Sequence, residues 1–325
     1  MTAARVPAGA RTTARRSALL FPGQASQHVG MGRLAVARFP AAAEIFARVD
    51  AAIGESISRL CFEGPAERLQ ETRVQQPAVF ACSLAIYQAW RETDGREDEL
   101  LGAAGHSLGE YTALTAAGAL SVEDAARLVA LRGRVMQEAA DRLPGGMTVL
   151  LGIDRARVEA ICAQVSRPDQ GEGEIVVLAN DNSTEQQVIS GGLAALERAA
   201  VAARAQGAKR AVPLKVAGAF HSPLMAPAVD GLAAAVAGVP IAPCRFPVIA
   251  NSTATPLRTA EEIRAELVRQ VMAPVRWVES VRALAESRPD LWVDSGPGGV
   301  MAGLAARIVP GCATLAIGSL IDAAE

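Results

Sequence analysis

Lysine is nearly missing from this 325-residue chain: Lys209 and Lys215 are the only two, and arginine makes up the rest of the basic set. The pattern reads as coding bias and implies no function. The net charge of −2 gives no overall attraction for nucleic acid or an anionic membrane, so neither is an expected partner. No apolar run reaches the roughly eighteen residues a spanning helix needs, and no membrane span is expected. Cysteine is sparse and scattered: Cys61, Cys82, Cys162, Cys244 and Cys312 form no C-x-x-C pair and adjoin no histidine cluster. A disulfide framework and a zinc site are disfavoured, and a reduced, cytoplasmic setting is expected. No acidic residue precedes Glu44, while Arg5, Arg11, Arg15 and Arg16 crowd the start. That stretch faintly resembles a transit peptide in composition, but it has no apolar h-region for secretion. Residues 1–17 read as a disordered basic tail. No internal repeat is found.

What is present is a large apolar reserve. Half of the residues are hydrophobic, and the length allows two domains or one large α/β domain carrying an insertion. The organising stretch is Leu101 to Tyr111. Gly105, Ser107 and Gly109 fit G-x-S-x-G, in which a serine sits on a sharp turn between a strand and a helix. The flanks supply both elements: Glu99 to Ala104 can end a buried strand, and Tyr111 to Leu120 is a good helix former.

Upstream, Ser17 to Phe21 reads as a first buried strand running into the polar loop Pro22 to Gln27. Phe39–Ile53 and Val74–Trp90 carry helical apolar rhythm. Ser121 is a good N-cap for the next helix, and Asp124 suggests a capping box with Asp in place of Glu. After Leu143-Pro144-Gly145-Gly146 the texture changes. Strands over 147–153, 174–179, 186–191 and 208–214, with helices over 155–165 and 193–206, give the β-α-β-β-α-β order of a ferredoxin-like unit. It looks inserted between two halves of a larger domain. Strands over 290–294 and 313–318 then complete the larger domain.

A serine hydroxyl is a weak nucleophile and needs a base. Only three histidines are available. His28 has no supporting pattern. His106 adjoins the serine, and its side chain should point elsewhere or line the site. His221 follows a strand at a turn, downstream of the serine, in the order that α/β-hydrolase sites use. An oxyanion needs preorganised donors. The elbow rule supplies the Leu108 N–H, and the loop bearing Gln24 is a candidate for the second. No acid presents itself as a third triad member. Arg132, on spacing alone, reads as a surface arginine whose stem packs on its helix; turned inward, its fork would bind a carboxylate.

Phe21-Pro22-Gly23-Gln24-Ala25-Ser26-Gln27, Gly105 to Tyr111, Leu131 to Gln137, Gly218-Ala219-Phe220-His221-Ser222 and Val268-Arg269-Gln270 follow one another along the chain. In these segments the chain resembles the malonyl-CoA:acyl-carrier-protein transacylases of fatty-acid and polyketide synthesis. The resemblance implies an α/β-hydrolase-like core with a parallel sheet (18–144 and 215–325), an inserted ferredoxin-like subdomain (145–214), and a gorge between them. By the same resemblance Ser107 is acylated, His221 is the general base, and backbone N–H groups of Gln24 and Leu108 form the oxyanion hole. Arg132 pairs with the carboxylate of a malonyl-type acyl group. A main-chain carbonyl near Gln270 or Asn251 orients His221. Gln76, Asn182, Phe220 and His106 line the pocket. The implied partners are malonyl-CoA and an acyl carrier protein bearing phosphopantetheine, with no metal and no cofactor beyond the coenzyme A thioester as substrate. Rival readings are an editing hydrolase, a carrier-to-carrier transferase of a larger acyl group, and a non-catalytic docking module. Two departures stand out: Ala25 replaces the family's usual glycine, and Thr148 is unusual after Met147.

Overall fold

The computed structural model describes residues 15–93 and 99–322. The basic-tail expectation therefore falls largely outside the described residues. At its end it is corrected: the Arg16 N–H donates to Asp290 Oδ2, and Ser17 opens the first strand, buried.

Ten strands are described. They are β1 (Ser17–Phe21), β2 (Leu100–Gly105), β3 (Gly146–Leu151), β4 (Val176–Ser183), β5 (Gln186–Gly191), β6 (Arg210–Pro213), β7 (Val248–Ile249), β8 (Pro256–Leu257), β9 (Leu291–Asp294) and β10 (Thr314–Ala316). They form two sheets. The larger runs β10-β9-β1-β2-β7-β8 and is parallel except for β8 against β7.

β1 is apolar along its whole length because both of its faces are covered. Leu19 and Phe21 point into the core shared with helices Pro40–Ile53, Thr72–Thr93 and Val122–Arg142. Ala18 and Leu20 point the other way, into a core with helices Trp277–Ala285 and Val300–Ile308. The period of two along a strand sorts one run of residues into two cores.

The smaller sheet, order β4-β5-β3-β6, is antiparallel throughout. Helices Arg155–Val165 and Leu193–Ala205 cover one face, with Leu150, Val158, Ile161, Ile189 and Ala199 between them. This is the split β-α-β arrangement that the strand and helix order implied. β4 is tied to the larger body by two backbone bonds, Asp181 N–H to Val275 O and Val275 N–H to Ala179 O.

Local chemistry accounts for the element ends. Helix Pro40–Ile53 starts on a proline, whose missing N–H costs nothing there, and stops at Gly54 with φ 76. The capping box expected at Ser121 forms only by half. Ser121 Oγ accepts from the Asp124 N–H, but the Asp124 carboxylate takes the Ser121 hydroxyl instead of its backbone N–H. Aspartate is one methylene too short for the return bond. The full box occurs at Thr259 and Glu262, where a glutamate is present. Helices Thr72–Thr93 and Val122–Arg142 cross closely at Gly133, where an added Cβ would meet Thr72 O at 2.8 Å. That crossing carries Arg132 up to Gln76. Among the described residues no helix is long and apolar enough to cross a membrane.

Candidate active site

The site lies at the carboxyl ends of the parallel strands, where α/β sheets place their ligand groups. Ser107 follows β2 at φ 52, a left-handed conformation that a non-glycine residue rarely adopts. Its two glycines are steric necessities. A Cβ on Gly105 would stand 1.9 Å from Gly109 O, and one on Gly109 would stand 2.3 Å from Phe21 O. The turn is also clamped from outside. Asn251 Oδ1 accepts the Ser107 N–H at 2.6 Å, and Asn251 Nδ2 donates to Gly105 O at 2.7 Å.

His221, itself at φ 59, brings Nε2 to 2.8 Å from Ser107 Oγ. Its Nδ1 faces two main-chain carbonyls, Gln270 O at 2.8 Å and Ala273 O at 3.0 Å. Two acceptors on that side assign the proton to Nδ1 and leave Nε2 free to accept from the serine. Burial, reinforced by the nearby Arg132 charge, pushes His221 down to about 3, so the ring is neutral. Neither contact of Nδ1 is a carboxylate.

Arg132 is fully buried, and the surface reading taken from its spacing is overturned. Its Nη1 donates to Gln76 Oε1 at 2.7 Å; its Nη2 donates to Gln270 Oε1 at 2.8 Å and to Ser107 Oγ at 3.1 Å. Its guanidinium also lies 5.8 Å from the centre of the Tyr111 ring. Every one of these partners is neutral, and its Nε has no protein partner among the described residues. Burying this cation carries a desolvation cost that no directly touching carboxylate offsets.

An acyl transferase domain model matches residues 18–307. The chain belongs to the acyl transferase domain family. It is 41% identical over 292 residues to the malonyl CoA-acyl carrier protein transacylase of Salmonella typhimurium, covering 90% of this chain and 92% of that protein. It is 39% identical to the Bacillus subtilis (strain 168) protein of the same name over 300 residues, 92% of each. Among solved structures, the transacylase from Coxiella burnetii superimposes with a TM-score of 0.89 at 37% identity, over 95% of this chain and 96% of that one. A malonyl-transacylase in complex with a type II polyketide-synthase acyl-carrier protein gives 0.85 at 40% identity, over 92% and 94%.

The remaining residues of this acyl transferase domain fall into place around the serine. His106 does not touch the serine hydroxyl: its Nε2 pairs with Asn182 Oδ1 at 2.8 Å, and its ring leans on Trp277 with centroids 5.5 Å apart. Gln24 has its side-chain Nε2 held by Gln75 Oε1 at 2.6 Å. The loop that carries it packs tightly on the elbow, because a Cβ on Gly23 would stand 2.7 Å from His106 O. Phe220 and Leu108, buried, adjoin His221 and Ser107 in sequence.

Of the two candidates for orienting His221, Gln270 is the one in contact through its carbonyl. Asn251 is corrected: its side chain holds the elbow, and its carbonyl accepts from the Arg276 N–H. Sequence reasoning missed Ala273, whose contribution is a bare carbonyl with no side-chain signature. It also passed over Glu110, which is fully buried in the turn after the serine. A glutamate at the head of an otherwise Ala- and Leu-rich helix was the available signal.

Proposed function

We propose that the chain transfers a malonyl group from coenzyme A to the phosphopantetheine thiol of an acyl carrier protein, through a malonyl-serine ester. Ser107 Oγ attacks the thioester carbonyl while its proton passes to His221 Nε2, 2.8 Å away. The Gln270 and Ala273 carbonyls hold Nδ1–H and stabilise the imidazolium that forms. The oxyanion is received by the backbone N–H groups of Leu108 and Gln24. Collapse expels the coenzyme A thiolate, which takes the proton from His221. In the second half the carrier thiol gives its proton to His221 and attacks the ester carbonyl, and Ser107 Oγ leaves and is reprotonated. These steps draw on no metal and no further cofactor.

The observation that carries the malonyl reading is Arg132: buried, surrounded by neutral partners and 3.1 Å from Ser107 Oγ. In a malonyl ester one methylene separates the ester carbonyl from the free carboxylate, which suits a guanidinium this close to the serine. A hydrolase clearing neutral chains would gain nothing from this cation. We place the enzyme in the cytoplasm; its five cysteines are all unpaired, which supports a reducing compartment.

The test offers malonyl-, methylmalonyl- and acetyl-CoA in competition and weighs the intact protein. One malonyl group on the wild type and none on Ser107→Ala is expected. A malonyl adduct that persists on the variant removes Ser107 from the mechanism, and acetyl outcompeting malonyl removes the assignment of substrate. Rapid hydrolysis of acetyl-carrier protein in place of transfer would favour the editing hydrolase.

A further inference from the structure

The residue that joins the parts of this site is one the transfer steps above do not use. Glu110 sits three places after Ser107 with no exposure to solvent. Its Oε1 accepts the Asn251 N–H at 3.0 Å, and its Oε2 accepts Gln270 Nε2 at 2.7 Å. Both neighbours are themselves clamps: Asn251 grips the elbow, and Gln270 holds His221 through its carbonyl and Arg132 through its side chain.

An amide has one acceptor end and one donor end. The Gln270 carboxamide faces a cation on one side and Glu110 on the other, so Oε1 turns to Arg132 and Nε2 turns to the carboxylate. On balance the Glu110 carboxyl is pushed well up, by burial first and then by the nearby Glu266 carboxylate, against the pull of the Asn251 and Gln270 donors and the Arg132 charge. The geometry argues for the charged form all the same. Both oxygens face N–H donors, which is the pattern of the ionised form.

We infer that Glu110 is a positioning residue that acts as the counter-charge of Arg132 at one remove. The intervening Gln270 amide lets the two buried charges compensate each other without direct contact. A carboxylate touching Arg132 would fill the place that the acyl carboxylate needs; a carboxylate one amide away leaves the guanidinium open and fixes its orientation. The inference rests on the proposed malonyl transfer and names what keeps that selectivity in being.

Two variants test it in the intact enzyme, with serine acylation by malonyl- and acetyl-CoA and the thermal midpoint as readouts. In Glu110→Gln the new amide can accept only one of the two donors, and the lock on Gln270 is lost. The malonyl-over-acetyl ratio should fall by about tenfold or more, as for losing a hydrogen bond to a charged group. The second variant combines Glu110→Gln with Gln270→Glu. Total charge is kept, and the contacts joining positions 110, 270 and Arg132 still set a donor against an acceptor; the carboxylate now touches Arg132, and the 3.3 Å bond from Gln270 Nε2 to Ser107 O is lost. Its midpoint should return toward the wild-type value while the ratio stays lowered, with the loss in KM for malonyl-CoA. A purely structural role would restore both.

Retention of the wild-type ratio in either variant overturns the inference. Should the single variant fail to fold, the double variant decides. Failure of the double variant to fold also overturns it, because the claimed complementarity would then be absent. If the wild type itself shows no malonyl preference, the transfer proposal and this inference fall together. If the preference exists and the variants keep it, this inference alone falls.

Discussion

Two neighbouring loops each hold a non-glycine residue in left-handed backbone, and they hold it very differently. Ser107, at φ 52, is locked by Asn251 on both sides of the turn and by glycines that admit no side chain. Ala25, at φ 74, is exposed, and its backbone N–H is held by the side chain of Gln27, two residues on in the same loop. At the elbow the surroundings over-determine the strain, and the strain aims the Ser107 hydroxyl at His221 Nε2. In the first loop the left-handed alanine sits at the surface. Strain is informative about chemistry when the structure around it has been built to enforce it.

The largest test of that contrast replaces the aimed group. Ser107→Gly should lower acyl transfer by about 10⁴-fold or more, as for other nucleophile deletions. Relief of the left-handed penalty should at the same time give it a higher thermal midpoint than Ser107→Ala, which loses the same hydroxyl bonds to His221 and Arg132. A midpoint below that of Ser107→Ala would show that the elbow is not strained. Gly105→Ala attacks the enforcement itself, since its Cβ would meet backbone at 1.9 Å. A loss of about 3–5 kcal/mol in denaturant unfolding is expected, in the range of severe steric changes. A near-neutral result would mean the turn can open.

Arg132→Ala should cut malonyl transfer by about 10²–10³-fold relative to acetyl transfer, the worth of two charge-assisted hydrogen bonds. Equal losses for the two substrates would make the arginine structural. His221 supplies the pH test. Unfolded, it binds a proton below its ordinary 6.5; folded, it stays neutral down to about 3. Its contribution to stability is therefore complete above 6.5 and shrinks as the pH falls through that window, by about 1.4 kcal/mol per pH unit. Unfolding at pH 7 and pH 5.5, with His221→Asn as reference, reads the slope. Identical slopes would show that the imidazole is not held neutral. The smallest effect belongs to the loop: Ala25→Gly should stabilise by about 1 kcal/mol, net of glycine's greater freedom when unfolded. A destabilised variant would show that the first loop holds no left-handed penalty for glycine to relieve.

Most of the fold was legible in the sequence because its signals are local. The apolar β1, the glycine-flanked serine and the alternation of elements over 146–213 each declare themselves within a few residues. The pairing of Ser107 with His221 was legible because each carries a side-chain signature in its own motif. Arg132 was misjudged on spacing because its charge was weighed above its position. It stands four residues from both Leu128 and Met136, in the middle of the buried stripe of its helix. Asn251 and Gln270 were singled out without their division of labour, which is decided by a fold that brings residues 105–110, 251 and 270 together. No pattern along the chain marks that meeting, and none marks the Ala273 carbonyl.

The carbonyl pair behind His221 has a bearing on how such an enzyme can be damaged. Where a carboxylate steadies the imidazole, one side-chain exchange removes it. Here that task falls to peptide oxygens, which every amino acid possesses. A substitution scan through 270 and 273 would leave both oxygens in the chain, so the imidazole could be released only by distorting the main chain. Inheritance of that steadying element is thus a property of the fold's shape, shielded from the ordinary run of point mutations.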